Sequence, residues 1–334
     1  MRKLRLSIVL FCAVIFMASG KIYLDDLHNY SNQAIPAYIT EDNTADNPID
    51  DKVATLGRVL FYDKKLSLDN QTACASCHQQ DVGFSDRDQV SRGSFGLTGR
   101  HSMRLINARF SQETHFFWDE RATTLEEQTT MPIKDAVEMG YSGQLLDSDF
   151  EDLIEKLNQV DYYRSLFEFA FSDDEISEEK IQLALGQFIR SIQSFDSRYD
   201  LGRGIVGNDT LPFPNFTEEE NRGKNLFLRG IQFGSEGNRI GGGIACARCH
   251  VPPEFSIIAN SRSNGVSLAA NGFEFDEGVT RSPTLRDVFN PAGELNGPLM
   301  HNGFFEDMRS VLEHYNDMET ATGMMDPFVD PRLK

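Results

Sequence analysis

Cys74-Ala75-Ser76-Cys77-His78 and Cys246-Ala247-Arg248-Cys249-His250 are two copies of one pattern, Cys-x-x-Cys-His, and the fold is read outward from them. Two thiols at this spacing can each form a thioether to one vinyl group of a haem, and the adjacent histidine then supplies the proximal nitrogen to the iron. A zinc knuckle or a redox disulfide are the other chemistries of a Cys-x-x-Cys pair. A zinc ribbon joins two pairs about 15–20 residues apart, whereas these pairs stand in different halves of the chain. A thioredoxin-type pair needs no following histidine. Apart from Cys12 the chain has no other cysteine. The pattern therefore points to two covalently bound c-type haems, one on Cys74, Cys77 and His78 and one on Cys246, Cys249 and His250.

The chain around the motifs has 334 residues, 40% hydrophobic and 25% charged, a composition that excludes wholesale disorder, collagen and a multi-span membrane protein. Lys and Arg total 32 and Asp and Glu 51, for a net charge of −19. That balance argues against a nucleic-acid partner and suits a basic one. Residues 1–20 read as an export signal. Arg2, Lys3 and Arg5 precede an apolar run from Leu6 to Ala18, and Ala18-Ser19-Gly20 offers small residues for cleavage. Cys12 lies in this run and is expected to leave with it; Phe11 is bulky where a lipoprotein site takes a small residue. An uncleaved N-terminal anchor is the alternative. Removal of three basic residues makes the mature charge −22. The expected location is the periplasm.

The rest reads as mainly α and loop-rich with little β, built as two cytochrome c-like haem domains. Residues 21–45 form a linker or N-terminal arm, 46–204 the N-terminal haem domain and 205–334 the C-terminal one. Helical spacing is expected over Asp51–Phe61, Leu125–Val137, Asp149–Leu157, Ser177–Tyr199, Thr217–Leu228 and Asp307–Asn316. Gly202–Asn215, with its Gly, Pro and Asn, reads as the boundary.

With both motifs placed, the chain resembles the bacterial di-haem cytochrome c peroxidase family, which includes the enzyme that matures the tryptophylquinone cofactor of methylamine dehydrogenase. The matching stretches are Gly57-Arg58-Val59-Leu60-Phe61-Tyr62-Asp63, Phe117-Trp118-Asp119-Glu120-Arg121-Ala122, Leu125-Glu126-Glu127-Gln128, Pro132, Glu138-Met139, Pro283-Thr284-Leu285-Arg286 and His301-Asn302-Gly303. The resemblance implies that the N-terminal haem is peroxidatic and that the C-terminal haem receives electrons from a small cytochrome or cupredoxin. It implies hydrogen peroxide as substrate, Glu138 as the acid–base group for O–O cleavage, Gln128 as a hydrogen-bonding partner of the bound peroxide, and Trp118 as an electron relay between haems. A homodimer is left open. From the residues alone, Glu138 reads as a solvated helix-end carboxylate and Trp118 as a core aromatic.

Two departures bear on the branch. Many of these peroxidases hold a distal His sixteen residues after the proximal one; counting from His78 reaches Ser94. The nearest His, His101, stands where the family usually has an Asn that helps bind an inter-domain calcium, which puts that calcium in question. The usual Met ligand of the second haem falls fourteen residues after the His of His-Asn-Gly; counting from His301 reaches Tyr315, as in the quinone-maturing branch. Tyr315 is thus the expected sixth ligand, with Met300, Met308 and His314 as rivals and a plain core role as the alternative. The chain stops at Lys334, where the family usually continues into a further helix, so the sequence reads as a fragment or as lacking that helix. The same scaffold could instead oxidise a protein or organic substrate through high-valent haems, or serve as a non-catalytic electron carrier.

Overall fold

The computed structural model describes residues 24, 26–112, 115–236, 238–256, 262–266, 276, 281–316 and 329. The signal segment 1–20, Cys12 and the last five residues lie outside them. Helix α1 (Asp51–Tyr62) starts where Asp50 accepts the backbone N–H groups of Lys52 and Val53. Its buried positions Val53, Leu56 and Leu60 share one face. Against it packs α6 (Glu178–Arg190), capped by Ser177. Gly57 marks the crossing: a Cβ there would stand 1.9 Å from the carbonyl oxygen of Ala184, so only glycine lets the two backbones meet.

Between Tyr62 and α6 come α2 (Cys74–Cys77), α3 (Leu125–Thr130), α4 (Phe150–Asn158) and α5 (Asp161–Phe171). Leu153, Leu157, Tyr163 and Phe167 of α4 and α5 are fully buried with Leu56, Leu60, Ile133, Ile181 and Ala184. Each such side chain contributes about 1.5–3 kcal/mol of apolar transfer energy. The arm before α1 wraps this core. Asn43 accepts from Arg190 Nε at 2.9 Å, and Asn47 donates to Glu126 at 2.7 Å.

After α6 come α7 (Arg198–Arg203), α8 (Glu218–Leu228), strands β1 (Ile231–Phe233) and β2 (Arg239–Gly242), and α9 (Met308–Asn316). β1 and β2 form one antiparallel hairpin, so the protein is mainly helical with little sheet. Among the described residues, no helix is long and apolar enough to cross a membrane.

Three expectations need correction. The helix expected over Leu125–Val137 ends at Thr130, because Pro132 has no N–H with which to continue the ladder. The helix expected over Ser177–Tyr199 is two. Asn107 breaks it, donating its backbone N–H to the Ile192 carbonyl and accepting the Ser194 N–H at 2.8 Å; Ser197 then caps α7. Helix α5 was not expected. It is rich in Tyr and Phe, which are mediocre helix formers, and no side chain caps its start; packing on α1 and α4 creates it.

Candidate haem sites and the seam between them

The two motifs adopt one local geometry. Cys74–Cys77 is a single helical turn and Cys246–Arg248 a 3-10 turn, and in each the histidine N–H donates to the first cysteine's carbonyl at 2.9 Å. Beyond each histidine the chain doubles back in an antiparallel bridge, Gln79 with Ser85 and Val251 with Ser256. Each turn ends in a phenylalanine with positive φ, Phe84 and Phe255, both at 55°. His78 Nδ1 lies 3.0 Å from the Phe84 carbonyl, and His250 Nδ1 lies 3.2 and 3.1 Å from the carbonyls of Phe255 and Pro283. A carbonyl only accepts, so Nδ1 carries the proton and Nε2 keeps its lone pair, the tautomer an axial ligand requires. Burial lowers the pKa of both imidazoles, which keeps them neutral. No disulfide engages any of the four cysteines.

Cys74, Cys77 and His78 open onto a cavity of about 540 Å³, a volume suited to a cofactor. Gln128 of α3 and Glu138, in the turn after Pro132, line the same cavity, as does Trp118. Burial pushes Glu138 up to about 7, with Asp135 adding to the effect and Arg121 opposing it. The negative charge of Glu138 in turn acts on both thiols, Cys74 and Cys77. Pro132 turns the chain so that Glu138, ten residues beyond Gln128, returns to the same chamber. Ser94 is turned away: its Oγ donates to Asp69 at 2.7 Å and lies 2.9 Å from Thr72 Oγ1, and its N–H donates to the Glu138 carbonyl at 2.8 Å. His101 is buried with Nε2 3.0 Å from Ser85 Oγ and Nδ1 3.1 Å from the Asp88 carbonyl, so both ring nitrogens are engaged. Burial, then the charge of Arg104, lowers its pKa to about 4.

Around the second motif, α9 brings Tyr315 over the cysteines. Its surface is 36% exposed, yet its phenol is enclosed. Burial pushes the phenol up to about 12, the Asn264 amide opposes, and Cys249 and Cys246 add to the rise. Asn264 Nδ2 lies 3.4 Å from the Tyr315 hydroxyl and 3.1 Å from Met300 Sδ, so two of the candidate ligands converge on one amide. Met300 has φ of 70°, uncommon for a bulky residue. His314 Nε2 meets the Asn264 carbonyl at 2.9 Å, so that nitrogen carries a proton.

Trp118 sits between the two halves. It is buried, its Nε1 donates to the His101 carbonyl at 2.8 Å, its carbonyl accepts from Arg281 N–H, and its ring meets that of His301 at 6.2 Å, edge to face. Around it the seam is polar. Arg100 donates to Asp276 through Nε and Nη2 at 2.6 and 2.7 Å and to Asp119 at 2.7 Å. Arg286 reaches Asp200, and the His101 N–H donates to the His301 carbonyl at 2.6 Å. Gly297 presses against the Asp86 carbonyl, where a Cβ would stand 2.1 Å away. Asp276, Asp200 and Glu254 were missed in the sequence, since nothing distinguishes them among 51 acidic residues.

The comparisons agree with this geometry. Residues 51–204 match the family described as di-haem cytochrome c peroxidase. The methylamine utilization protein MauG of Methylophilus methylotrophus is 30% identical over 280 residues, covering 80% of this chain and 73% of that protein. The cytochrome c551 peroxidase of Pseudomonas aeruginosa is 28% identical over 299 residues, covering 86% and 79%. A crystal structure of a MauG-like protein associated with microbial copper homeostasis superposes with a TM-score of 0.65 at 27% identity, covering 85% of this chain and 82% of that one. The fold is also that of the diheme peroxidase BthA of Burkholderia thailandensis, at a TM-score of 0.56 and 22% identity over 82% and 74%. Sequence, site geometry and fold thus converge, and the chain belongs to the di-haem cytochrome c peroxidase and MauG family.

Proposed function

We propose that the protein is an exported di-haem peroxidase that reduces hydrogen peroxide to water with two electrons from a small redox protein. Electrons enter at the C-terminal site and the peroxide reacts at the N-terminal one. The observation that carries this reading is the shared chamber of His78, Gln128 and Glu138. Cys74 and Cys77 would hold the first haem through thioethers with His78 ligating its iron, and Cys246, Cys249 and His250 the second. The bound haems would supply redox iron and, at the first site, the metal at which peroxide is reduced. Within the chamber the Glu138 carboxylate takes a proton from one peroxide oxygen and returns it to the other as the O–O bond breaks. A pKa about 7 suits both halves of that transfer near neutral pH. Gln128 orients the peroxide. Ser94, held on Asp69 and Thr72, leaves the chamber without a side-chain ligand from that loop. Trp118, between the chamber and His301, serves as the relay. Calcium is not part of this reading, because His101 commits both ring nitrogens to Ser85 and backbone carbonyls.

A second reading, oxidation of a protein or organic substrate on the same scaffold, is favoured by Tyr315, whose phenol lies within electrostatic reach of Cys246 and Cys249. A phenolate ligand stabilises oxidised iron relative to a thioether. Stopped-flow mixing of the matured protein with peroxide and a pre-reduced cytochrome c tests the first reading. Peroxide-dependent oxidation of the cytochrome is expected; two unreactive low-spin haems would identify a simple electron carrier. In the oxidised spectrum, a Met–haem charge-transfer band in the far red would count against Tyr315 and in favour of Met300 or Met308.

A further inference from the structure

Four residues beyond His250, and unused by the chemistry above, stands Glu254, only 6% exposed. Its Oε2 accepts from Asn107 Nδ2 at 3.1 Å and lies 3.3 Å from Arg286 Nε, while Oε1 has no donor among the described residues. The guanidinium is already matched, since Arg286 Nη1 reaches both oxygens of Asp200 at 2.9 and 3.1 Å. Asp200 also accepts from the Tyr38 hydroxyl at 2.6 Å and from Ser197 N and Oγ at 3.1 and 2.5 Å. Two buried carboxylates therefore share one cation, and Asp200 holds the fuller donor set. The surplus negative charge falls on Glu254, where an incompletely paired buried carboxylate is costly and protonation relieves it. Burial accordingly pushes Glu254 up to about 7, with Arg286 and Asn107 opposing and Asp200 adding.

Glu254 is built into the support of His250. The carbonyls that accept from His250 Nδ1 belong to Phe255, its neighbour, and to Pro283. The Glu254 carbonyl accepts from Thr284 Oγ1 at 2.6 Å, and Arg286 Nη2 donates to the Pro253 carbonyl at 2.8 Å. On its other side Glu254 lines a small cavity of about 50 Å³, shared with Thr40, Glu41, Gln112 and Ser256. That is room for one to a few waters. Glu41 and Gln112 are exposed to solvent. The charged and titratable groups around the carboxylate are thus Arg286 from the loop after Pro283, Asp200 from α7, and Tyr38 and Glu41 from the arm.

We propose that Glu254 is the proton-binding partner of electron uptake at the C-terminal haem. Its carboxylate takes one proton from solvent through this cavity when the iron held by His250 accepts one electron from the donor, and it releases that proton when the electron moves on. The proton cancels the charge the electron adds, an attraction that is strong in a buried, low-dielectric site. This inference rests on the reading that a haem is bound at Cys246, Cys249 and His250.

The test is a spectroelectrochemical titration of that haem in the full-length holoprotein across neutral pH, in wild type and Glu254→Gln, with redox-difference infrared spectra of both. In wild type the potential is expected to fall as pH rises, and a carboxylic C=O band is expected to appear on reduction. Both the slope and the band should be largely lost in Glu254→Gln. Should that variant not fold, Glu254→Leu, an apolar replacement of similar volume, carries the same comparison. Equal slopes with the same C=O band in wild type and variant, both with intact haem, would overturn the proposal. A wild-type protein matured with only one haem would overturn the underlying reading instead.

Discussion

Around Cys74–His78, helices α1, α4, α5 and α6 bury Leu56, Leu60, Leu153, Tyr163, Phe167 and Ala184 completely, and the chamber is carved into the edge of that apolar core. Around Cys246–His250 the nearest long helix, α8, buries no residue, and among the described residues the apolar core cluster does not extend beyond Ile192. The second motif is held by a small aromatic group, Phe255 against Tyr199 and Phe227, and by polar contacts: Arg286 on Asp200, Asn107 on Glu254, and Arg100 on Asp276 across the seam. The same haem-binding turn thus rests on two different supports. A core of leucine and phenylalanine holds its shape without a cofactor, whereas a loop cluster with few buried apolar side chains depends on the cofactor for the missing apolar mass.

The largest effect should come from removing that cofactor. Replacing Cys246 and Cys249 by serine is expected to abolish the Soret absorbance of one haem and to strip hydrogen-exchange protection from residues beyond 204, while α1, α5 and α6 keep theirs. Equal loss of protection in both halves would break the contrast. Next is the chamber. Glu138→Gln should lower kcat/KM for peroxide by about 10²–10⁴-fold with both haem spectra retained. The carboxylate acts as the base only when deprotonated, so the wild-type rate should rise with pH through about 7, and this ascending limb should vanish in the variant.

Arg286→Met probes the polar support. It leaves Asp200 and Glu254 buried without their cation, and the expected loss is about 3–5 kcal/mol, seen as a lower denaturant midpoint for the C-terminal half. A cost no larger than that of a surface substitution would mean that the seam is not the support. The smallest effect on stability is expected for Trp118→Phe, which removes the 2.8 Å hydrogen bond to the His101 carbonyl at about 0.5–1.5 kcal/mol. Its signature is kinetic: transfer of electrons between haems slows while both spectra stay intact.

Legibility followed local signals rather than the two halves. Helices α1 and α8 were readable to within a residue of their ends, because Asp50 and Thr217 cap them and the apolar spacing of α1 survives in isolation. Helix α5 was not, because its aromatic residues are held helical by the core they join. The break after Arg190 was hidden because it depends on Asn107, some eighty residues earlier in the chain.

The two Cys-x-x-Cys-His motifs, the family and the mainly helical class were determined by the sequence alone, because thioether spacing and capping are local and survive without a partner. The tertiary structure decided the surroundings of the acidic residues: Glu138 was already marked by the family resemblance, whereas Glu254 was not marked at all. Glu138 returns to the chamber through the turn after Pro132, and Glu254 is left short of donors because Asp200, from another element, matches Arg286 first. Burial and the sharing of one cation between two carboxylates are properties of residues far apart in the chain, and no local pattern encodes them.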